Sequence, residues 1–406
     1  MVSRKYITVV LFLLVQVMAF AQVKEIVGKI IDSNTRQGID GVMISNIAGT
    51  LVVVSNEQGE FTIILDDANQ ELVFNHIAYQ SVQQRATNKM EVVLLPMTKE
   101  LEEILVFKRP IHEVFATAFA NMKKSVEKGD LYETYVREFN VINNSRVNVA
   151  DAIVDFYINK PGGKALVDVK ERRTFESTKD VDLDNMEELF SVMGTGDFRT
   201  TLNSFVSEGY LNKMIKNNKL YDYTVKKQKR ANGQTVIVLE YGLKDIASLN
   251  AKDFSNKEGY IEGYMVFDES QTNVLEYRID MAEESKRNMK EISFLGIVKI
   301  KLKDFTAHVL MTDKGKGVEF NYGVRNVVFD ITMKKEKTIT IDVKREIKVD
   351  KLTRNVEIPK QKSFKDTGLF GAPSNYHTVY WKGRNIRPLT IKETAILEVL
   401  EEREIK

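Results

Sequence analysis

Residues 27–79 read VGKIIDSNTRQGIDGVMISNIAGTLVVVSNEQGEFTIILDDANQELVFNHIAY, and this stretch decides the fold of the first part of the chain. Gly28, Gly41, Gly49 and Gly59 mark places where a short strand turns sharply or needs positive φ. Between them the apolar residues alternate. Phe61, Ile63 and Leu65 share one face, and Leu72 and Phe74 hold the same parity in the next strand. Phe61, directly after the Gly59-Glu60 turn, is positioned as the plug of a small sandwich core.

The marks in this stretch are Gly28 and Asp32 closing the first strand, Gly38-Ile39-Asp40-Gly41-Val42, Gly49-Thr50, the run NEQGEF from Asn56 to Phe61, and Ala78-Tyr79. In order and spacing they resemble the carboxypeptidase regulatory-like domain, a small transthyretin-like β-sandwich common in envelope proteins of Bacteroidetes. Two positions depart from the family pattern: Ala78 stands where a Gly is usual, and Gly38-Ile39 where Pro-Leu is usual. Ala is a mild change and Ile39 keeps the apolar side chain. The resemblance implies a Greek-key sandwich over residues 22–107 and a compartment outside the cytoplasm. It implies no reaction. Such modules often precede a TonB-dependent receptor, but no plug or barrel pattern follows here, so that role is not carried over.

The opening MVSRKYITVVLFLLVQVMAFAQ has a charged start at Arg4 and Lys5, an apolar run from Ile7 to Met18, and Ala19-Phe20-Ala21 as a cleavage site. It reads as a secretory signal peptide over residues 1–21. The apolar run falls short of the roughly 20 residues of a spanning helix. The chain has no cysteine, which excludes a lipoprotein anchor, a disulfide and a thiolate metal site. Removing residues 1–21 takes away two basic residues and no acidic one, leaving 57 of each sign. A balanced chain has no global field to recruit nucleic acid or anionic lipid, and no later stretch reads as a transmembrane helix.

A last sandwich strand is expected near Glu103 to Phe107. A connecting helix follows over residues 108–130, with Pro110 in its first turn and Ile111, Val114, Phe115, Ala118, Phe119, Met122 and Val126 on one stripe. Residues 131–357 turn to long alternating strands, with Asn232-Gly233 as a hairpin signal. Helices near 184–206 interrupt them. This predicts a larger curved antiparallel β-domain with a helical insert. The stretch LYETYVREFNVINNSRVNVADAIVDFY is similar to uncharacterised Bacteroidetes envelope proteins that carry the same module. GYIEGYMVFDESQTNVLEYRI resembles strands of lipoprotein-carrier (LolA-like) half-barrels. A tail over 358–406 ends in a helix, with Thr390 and Glu393 as a capping box and Ile391, Ala395, Ile396, Val399 and Leu400 as its stripe.

Four histidines, His76, His112, His308 and His377, offer no H-E-x-x-H and no Glu at helical ligand spacing. His76 reads as a structural strand residue and His112 as an exposed first-turn residue; His308 and His377 stand alone. There is no G-x-S-x-G elbow, Gly194-Thr195-Gly196 is too short for a phosphate loop, and Lys314-Gly315-Lys316-Gly317 reads as a hairpin turn. Asp66-Asp67, Glu187-Glu188 and Glu283-Glu284 read as solvated faces, and Lys226-Lys227-Gln228-Lys229-Arg230 as a solvated strand end.

The sequence therefore predicts a mainly β, exported protein, periplasmic or outer-membrane-associated, with no catalytic, cofactor or metal residues. Tyr376, Tyr380, Trp381 and Arg384 form one aromatic and basic cluster, a candidate interaction surface. The expected function is a non-catalytic envelope binding or scaffold protein whose partner is an envelope protein, a glycan or a lipid. Two alternatives stand beside it: a carrier of apolar molecules in a half-barrel, and a hydrolase with a carboxylate-based site.

Overall fold

The computed structural model describes residues 24–65, 70–97, 103–104, 109–143, 146–176, 197–207, 209–244, 259–294, 298–315, 317–333, 338–360, 364, 368–370, 374 and 384–404. The chain divides into two compact units. Described residues up to 96, joined by 384–390, form the first, and the remainder forms the second. The fold is mainly β, as the alternation implies.

The first unit is a sandwich of two small sheets. Its strands are β1 (Lys24–Asp32), β2 (Met43–Asn46), β3 (Val52–Val54), β4 (Glu60–Leu65), β5 (Glu71–His76), β6 (Tyr79–Arg85) and β7 (Lys89–Leu94). One sheet has the order β4-β1-β7, with β1 and β7 parallel; the other is β3-β2-β5-β6. Ile30, Val42, Ile44, Phe61, Ile63, Phe74 and Val92 fill the space between them, and Phe61 meets Phe74 edge-on at 5.6 Å. Gly28 lies inside β1 rather than at a turn. A Cβ there would sit 2.4 Å from the Phe61 ring, so this glycine makes room for the core plug. Asp32 does close the strand: its carboxylate accepts from the Asn34 and Thr35 amides at 2.7 and 2.8 Å, and from the Tyr79 hydroxyl at 2.9 Å. These bonds hold Asp32 below the usual carboxylate range, while burial and the facing carboxylate push Tyr79 up to about 12. Residues 384–390 also belong to this unit. Asn385 Oδ1 accepts from the Ile64 amide at 2.6 Å, and Asn56 Nδ2 donates to the Leu389 carbonyl at 3.1 Å.

The second unit is built on one antiparallel sheet. Its elements are β8 (Glu103–Ile104), α1 (Ile111–Lys124), β9 (Leu131–Ile142), β10 (Arg146–Tyr157), β11 (Leu166–Glu176), α2 (Thr201–Val206), α3 (Gly209–Lys216), β12 (Tyr221–Lys229), β13 (Thr235–Leu243), β14 (Ile261–Asp268), β15 (Val274–Met281), α4 (Glu283–Asn288), β16 (Ile292–Phe294), β17 (Val298–Asp313), β18 (Val318–Met333), β19 (Thr338–Thr353) and α5 (Ile391–Glu404). Among the described residues the sheet has twelve strands in the order β11-β10-β9-β19-β18-β17-β15-β14-β13-β12-β8, with β16 beside β17. Most neighbours are consecutive hairpins, closed by turn residues of the expected kind. Gly233 has φ +84° between β12 and β13, and Gly315 has φ +75° between β17 and β18.

Three further expectations are corrected. Residues 103–104 pair with Lys226 and Lys227 of β12, not with the sandwich; a period of two cannot tell which sheet edge a short strand joins. Arg230, read as a solvated strand end, is 8% exposed. The C-terminal helix buries Glu393 and Leu397 while Ile391 is 71% exposed, because a carboxylate paired with Lys344 at 2.8 Å is seated where an apolar residue was expected. Of the helical insert, residues 177–196 lie outside the described residues. The described part is a 3-10 turn at Phe198–Thr200 and α2, with α3 following beyond the predicted limit. Among the described residues no helix is long and apolar enough to cross a membrane, a statement about helices and not about strands.

Helix α1 presents Val114, Phe115, Ala118, Phe119 and Met122 to the interior, packing against β15, β18 and α2. Phe115 lies 6.3 Å from Phe267 and 6.4 Å from Tyr223. Phe119→Asp is expected to lower stability by several kcal/mol, because it buries an unpaired carboxylate, and Lys123→Asp on the exposed side by less than about 0.5 kcal/mol. Denaturant unfolding of both variants checks this.

Candidate functional site: a charged row across the sheet

Residues directly opposed in an antiparallel sheet share a face. The registers of successive strand pairs place Arg173, Asp151, Arg137, Glu346, Val324, His308, Arg278, Tyr264 and Glu240 in one row from β11 to β13. Along its first four members the charge alternates in sign. Asp151 has a fully buried side chain and binds Arg137 Nε at 3.1 Å and Arg173 Nη2 at 2.7 Å. It also accepts the Tyr135 hydroxyl at 2.5 Å. Arg137 reaches on to Glu346 at 4.0 Å, and Glu346 accepts the Tyr322 hydroxyl at 3.0 Å. Burial works against the ionised Asp151, but the two guanidiniums prevail and hold its carboxyl below the usual range. Tyr135 is pushed well up by its burial.

A second cluster sits further along the same face. His308 Nε2 lies 2.9 Å from Glu276 Oε1, the Tyr264 hydroxyl donates to that oxygen at 2.7 Å, and Arg230 Nη2 stands 3.9 Å from Glu276 Oε2. All four residues are buried. Burial opposes Glu276 ionisation, yet the His308 hydrogen bond and charge hold its carboxyl low. In the sequence His308 stands alone. Its partner is 32 residues away and diagonal across β15 and β17, which only the register reveals.

Lys348 is the third element. It lies between Tyr322 and Tyr135 in register, and its ammonium donates to Asn321 Oδ1 at 2.7 Å and to the Val349 carbonyl at 2.9 Å. Burial brings it down to about 8, against the opposing pull of Asp350.

The other face carries α1, α2 and α3, whereas α5 seats Glu393 on Lys344, two residues from Glu346 on the charged face. Glu138, Arg345, Arg325, Ala307 and Ile279 form the adjacent row there. Arg345 pairs with Glu138 and lies 5.4 Å over the Phe198 ring. Tyr277 donates to the Phe205 carbonyl at 2.7 Å. Under α2 the surface opens into a small pocket lined by Thr201, Ser204, Phe205, Arg325 and Arg345, with Val327 and Val343 beside them.

Of the predicted interaction residues, Tyr376, Tyr380 and Trp381 lie outside the described residues, as does His377. Arg384 is half-buried at the start of the stretch that runs along the sandwich, where its carbonyl accepts the Ile386 amide at 3.1 Å. His76 is a strand residue whose Nδ1 accepts the Ala78 amide at 3.2 Å and whose ring meets Tyr79 at 5.2 Å. His112 is exposed at the start of α1. Among the described residues no three His, Asp or Glu side chains converge as a metal site.

The family model of the CarboxypepD_reg-like domain matches residues 26–106. That domain is a non-catalytic regulatory fold, and the match covers the sandwich and the short edge strand β8. A search of curated proteins finds no match. Among solved structures, one describing lipid–protein interactions in lipovitellin is similar over 61% of this chain and 28% of its own, at 9% identity and a TM-score of 0.25. The chain thus spans little more than a quarter of that structure's length. A putative membrane-associated protein of unknown function from Bacteroides fragilis NCTC 9343 is similar over 82% of this chain and 99% of its own, at 8% identity and a TM-score of 0.16. At these TM-scores neither likeness bears on the fold or the function.

Two tests follow from the row. Asp151→Asn should cost about 3–5 kcal/mol, since it leaves two guanidiniums around a neutral amide in a buried setting. Because the folded Asp151 titrates below its unfolded value, its contribution is full above the unfolded carboxylate range and disappears as pH falls through the folded value. Acid unfolding of the wild type should therefore be steeper than that of the variant. Lys348 has the opposite form. Its folded value lies below its unfolded one, so a penalty present below pH 8 is relieved as pH rises from about 8 to 10.5. Relative to Lys348→Met, the wild type should gain about 1.4 kcal/mol per pH unit in that window, measured by urea titrations at several pH values.

Proposed function

We propose that the chain is a non-catalytic binding or scaffold protein of the cell envelope, in which the sandwich is an accessory module and the large sheet carries the partner specificity. The observation behind this reading is the charged row. Its carboxylates are committed to fixed cationic partners inside the fold, as structural ion pairs are, and a hydrolase needs at least one acid or base facing a substrate-sized cleft. A carrier of apolar molecules needs a wide apolar lining, whereas one face of this sheet is occupied by Arg137, Asp151, Glu346, Lys348, Glu276 and His308. The partner class is an envelope protein, a glycan or a lipid. The sandwich positions are turn glycines, core residues and the Asp32–Tyr79 bond, which specify a fold and leave little for discrimination.

Export is part of the same proposal: the charged start, apolar run and Ala19-Phe20-Ala21 favour cleavage before Gln22. Native mass spectrometry of the protein purified from cell envelopes tests both points. The expected result is a chain beginning at Gln22 with a bound protein, glycan or lipid of defined mass. A full-length mass overturns export with cleavage. Turnover of peptides, glycans or esters by the purified protein, abolished by a single carboxylate substitution, overturns the non-catalytic reading.

A further inference from the structure

We propose that the outer edge of β4 is a docking edge for an extended peptide segment of a partner protein, and that residues 384–390 close it in cis as a strap. β4 ends the β4-β1-β7 sheet, and an end strand offers its outward N–H and C=O groups to any extended chain. At Ile64 both groups meet one side chain. Asn385 Oδ1 accepts the Ile64 amide at 2.6 Å, and Asn385 Nδ2 donates to the Ile64 carbonyl at 3.5 Å. A carboxamide carries an acceptor and a donor side by side, so it imitates one residue of a neighbouring strand. Outward groups recur at every second residue of an antiparallel strand. That puts Thr62 on the same edge and Glu60 at its end, where Asn56 already takes up the Glu60 amide and carbonyl.

The second anchor is built into the sandwich. Asn56 is fully buried, and its Oδ1 accepts the Gln58 and Glu60 amides at 3.0 and 2.9 Å. Its orientation is thereby fixed, with Nδ2 donating to Glu60 Oε2 and to the Leu389 carbonyl, each at 3.1 Å. The edge thus recognises a carboxamide at Ile64 and a main-chain carbonyl at Asn56, presented by an extended chain. Pro388 keeps the strap in that form, because it disfavours helical backbone at Arg387. The strap is also built to be exchanged. Among the described residues no main-chain ladder joins it to β4, whereas an incoming strand pairs its own backbone with Thr62 and Ile64. Such recognition reads main chain more than side chains, and it is a contact additional to the one proposed for the large sheet.

The test uses the full chain as wild type, Asn385→Ala and Asn385→Gln, with a synthetic peptide of the sequence of residues 384–390 as probe. Hydrogen exchange over residues 60–65 should quicken about tenfold or more in Asn385→Ala, while exchange over β2 and β5 stays unchanged, as local opening requires. The peptide should bind this variant saturably and about tenfold more tightly than the wild type, where the tethered strap competes with it. Its binding should restore protection over residues 60–65, and a peptide with alanine in place of its asparagine should not bind. Unchanged exchange in Asn385→Ala, no saturable binding to that variant, or equal binding of the two peptides overturns the proposal. Concentration-dependent dimers of the wild type that Asn385→Ala abolishes would assign the edge to the strap of a second copy, and so overturn the partner-protein reading. Should Asn385→Ala fail to fold, Asn385→Gln takes its place, since it keeps the carboxamide but displaces it by one methylene. Tighter peptide binding than in the wild type then supports the docking edge, and equal binding counts against it.

Discussion

The pairing of β9 with β19 is the constraint on which the large unit depends. The strands from β12 to β19 form a meander, β9 to β11 form another, and the two join where β19 returns to β9 across some two hundred residues of chain. At that seam Arg137-Glu138 faces Arg345-Glu346, so that Arg137 opposes Glu346 on one face and Glu138 opposes Arg345 on the other. A slip of one residue in one direction sets Arg137 against Arg345; in the other it sets Glu138 against Glu346. Either error buries like charges and turns every apolar side chain to the wrong face. Buried ion pairs contribute little net stability against apolar replacements of equal volume. Their value at this seam is register. A closure so distant in sequence is also slow to form, which makes a strong penalty on wrong pairings more useful than a few added contacts.

The two faces of the sheet divide the work. The face covered by α1, α2 and α3 is aromatic, with Phe115, Phe198, Phe205, Phe267, Phe320 and Tyr277 buried to 2% exposure or less, and Phe205 stacks on Phe320 at 5.6 Å. Gly323 permits this approach, since a Cβ there would lie 3.0 Å from the Phe205 ring. Burial of such side chains supplies most of the driving force, at about 25 cal/mol per Å² of apolar surface. The opposite face contributes specificity through charge order. An aromatic face tolerates small shifts, whereas the row from Arg173 to Glu346 is satisfied at one register.

Much of this was legible in the sequence, and what was not has a common cause. Local signals held: the sandwich turns at Gly41, Gly49 and Gly59, the Asn232-Gly233 hairpin, the α1 stripe and the β17–β18 turn all depend on residues close together in the chain. The failures are non-local. The strand at 103–104 pairs with β12 and not with the sandwich, because two residues of extended chain carry no address. His308 looked isolated because Glu276, Tyr264 and Arg230 come from three other segments. Arg230 looked solvated because it closes a basic run just before the Asn232-Gly233 turn, and only the fold brings Glu276 to it. In α5 the periodic pattern favoured Ile391 and Ala395, yet Lys344 draws Glu393 to the buried side and rotates the helix accordingly. Of the predicted cluster, Tyr376, Tyr380 and Trp381 fall outside the described residues.

The ion pairs of the charged row also keep ligand chemistry away from it. A carboxylate held by two guanidiniums and a tyrosine, as Asp151 is, has its lone pairs occupied, and extracting it for a ligand would expose two arginines to a low-dielectric interior. The same holds for Glu276 between His308, Tyr264 and Arg230. These groups are positioned to fix strands, and a ligand competing for them would have to unmake the register that the sheet relies on.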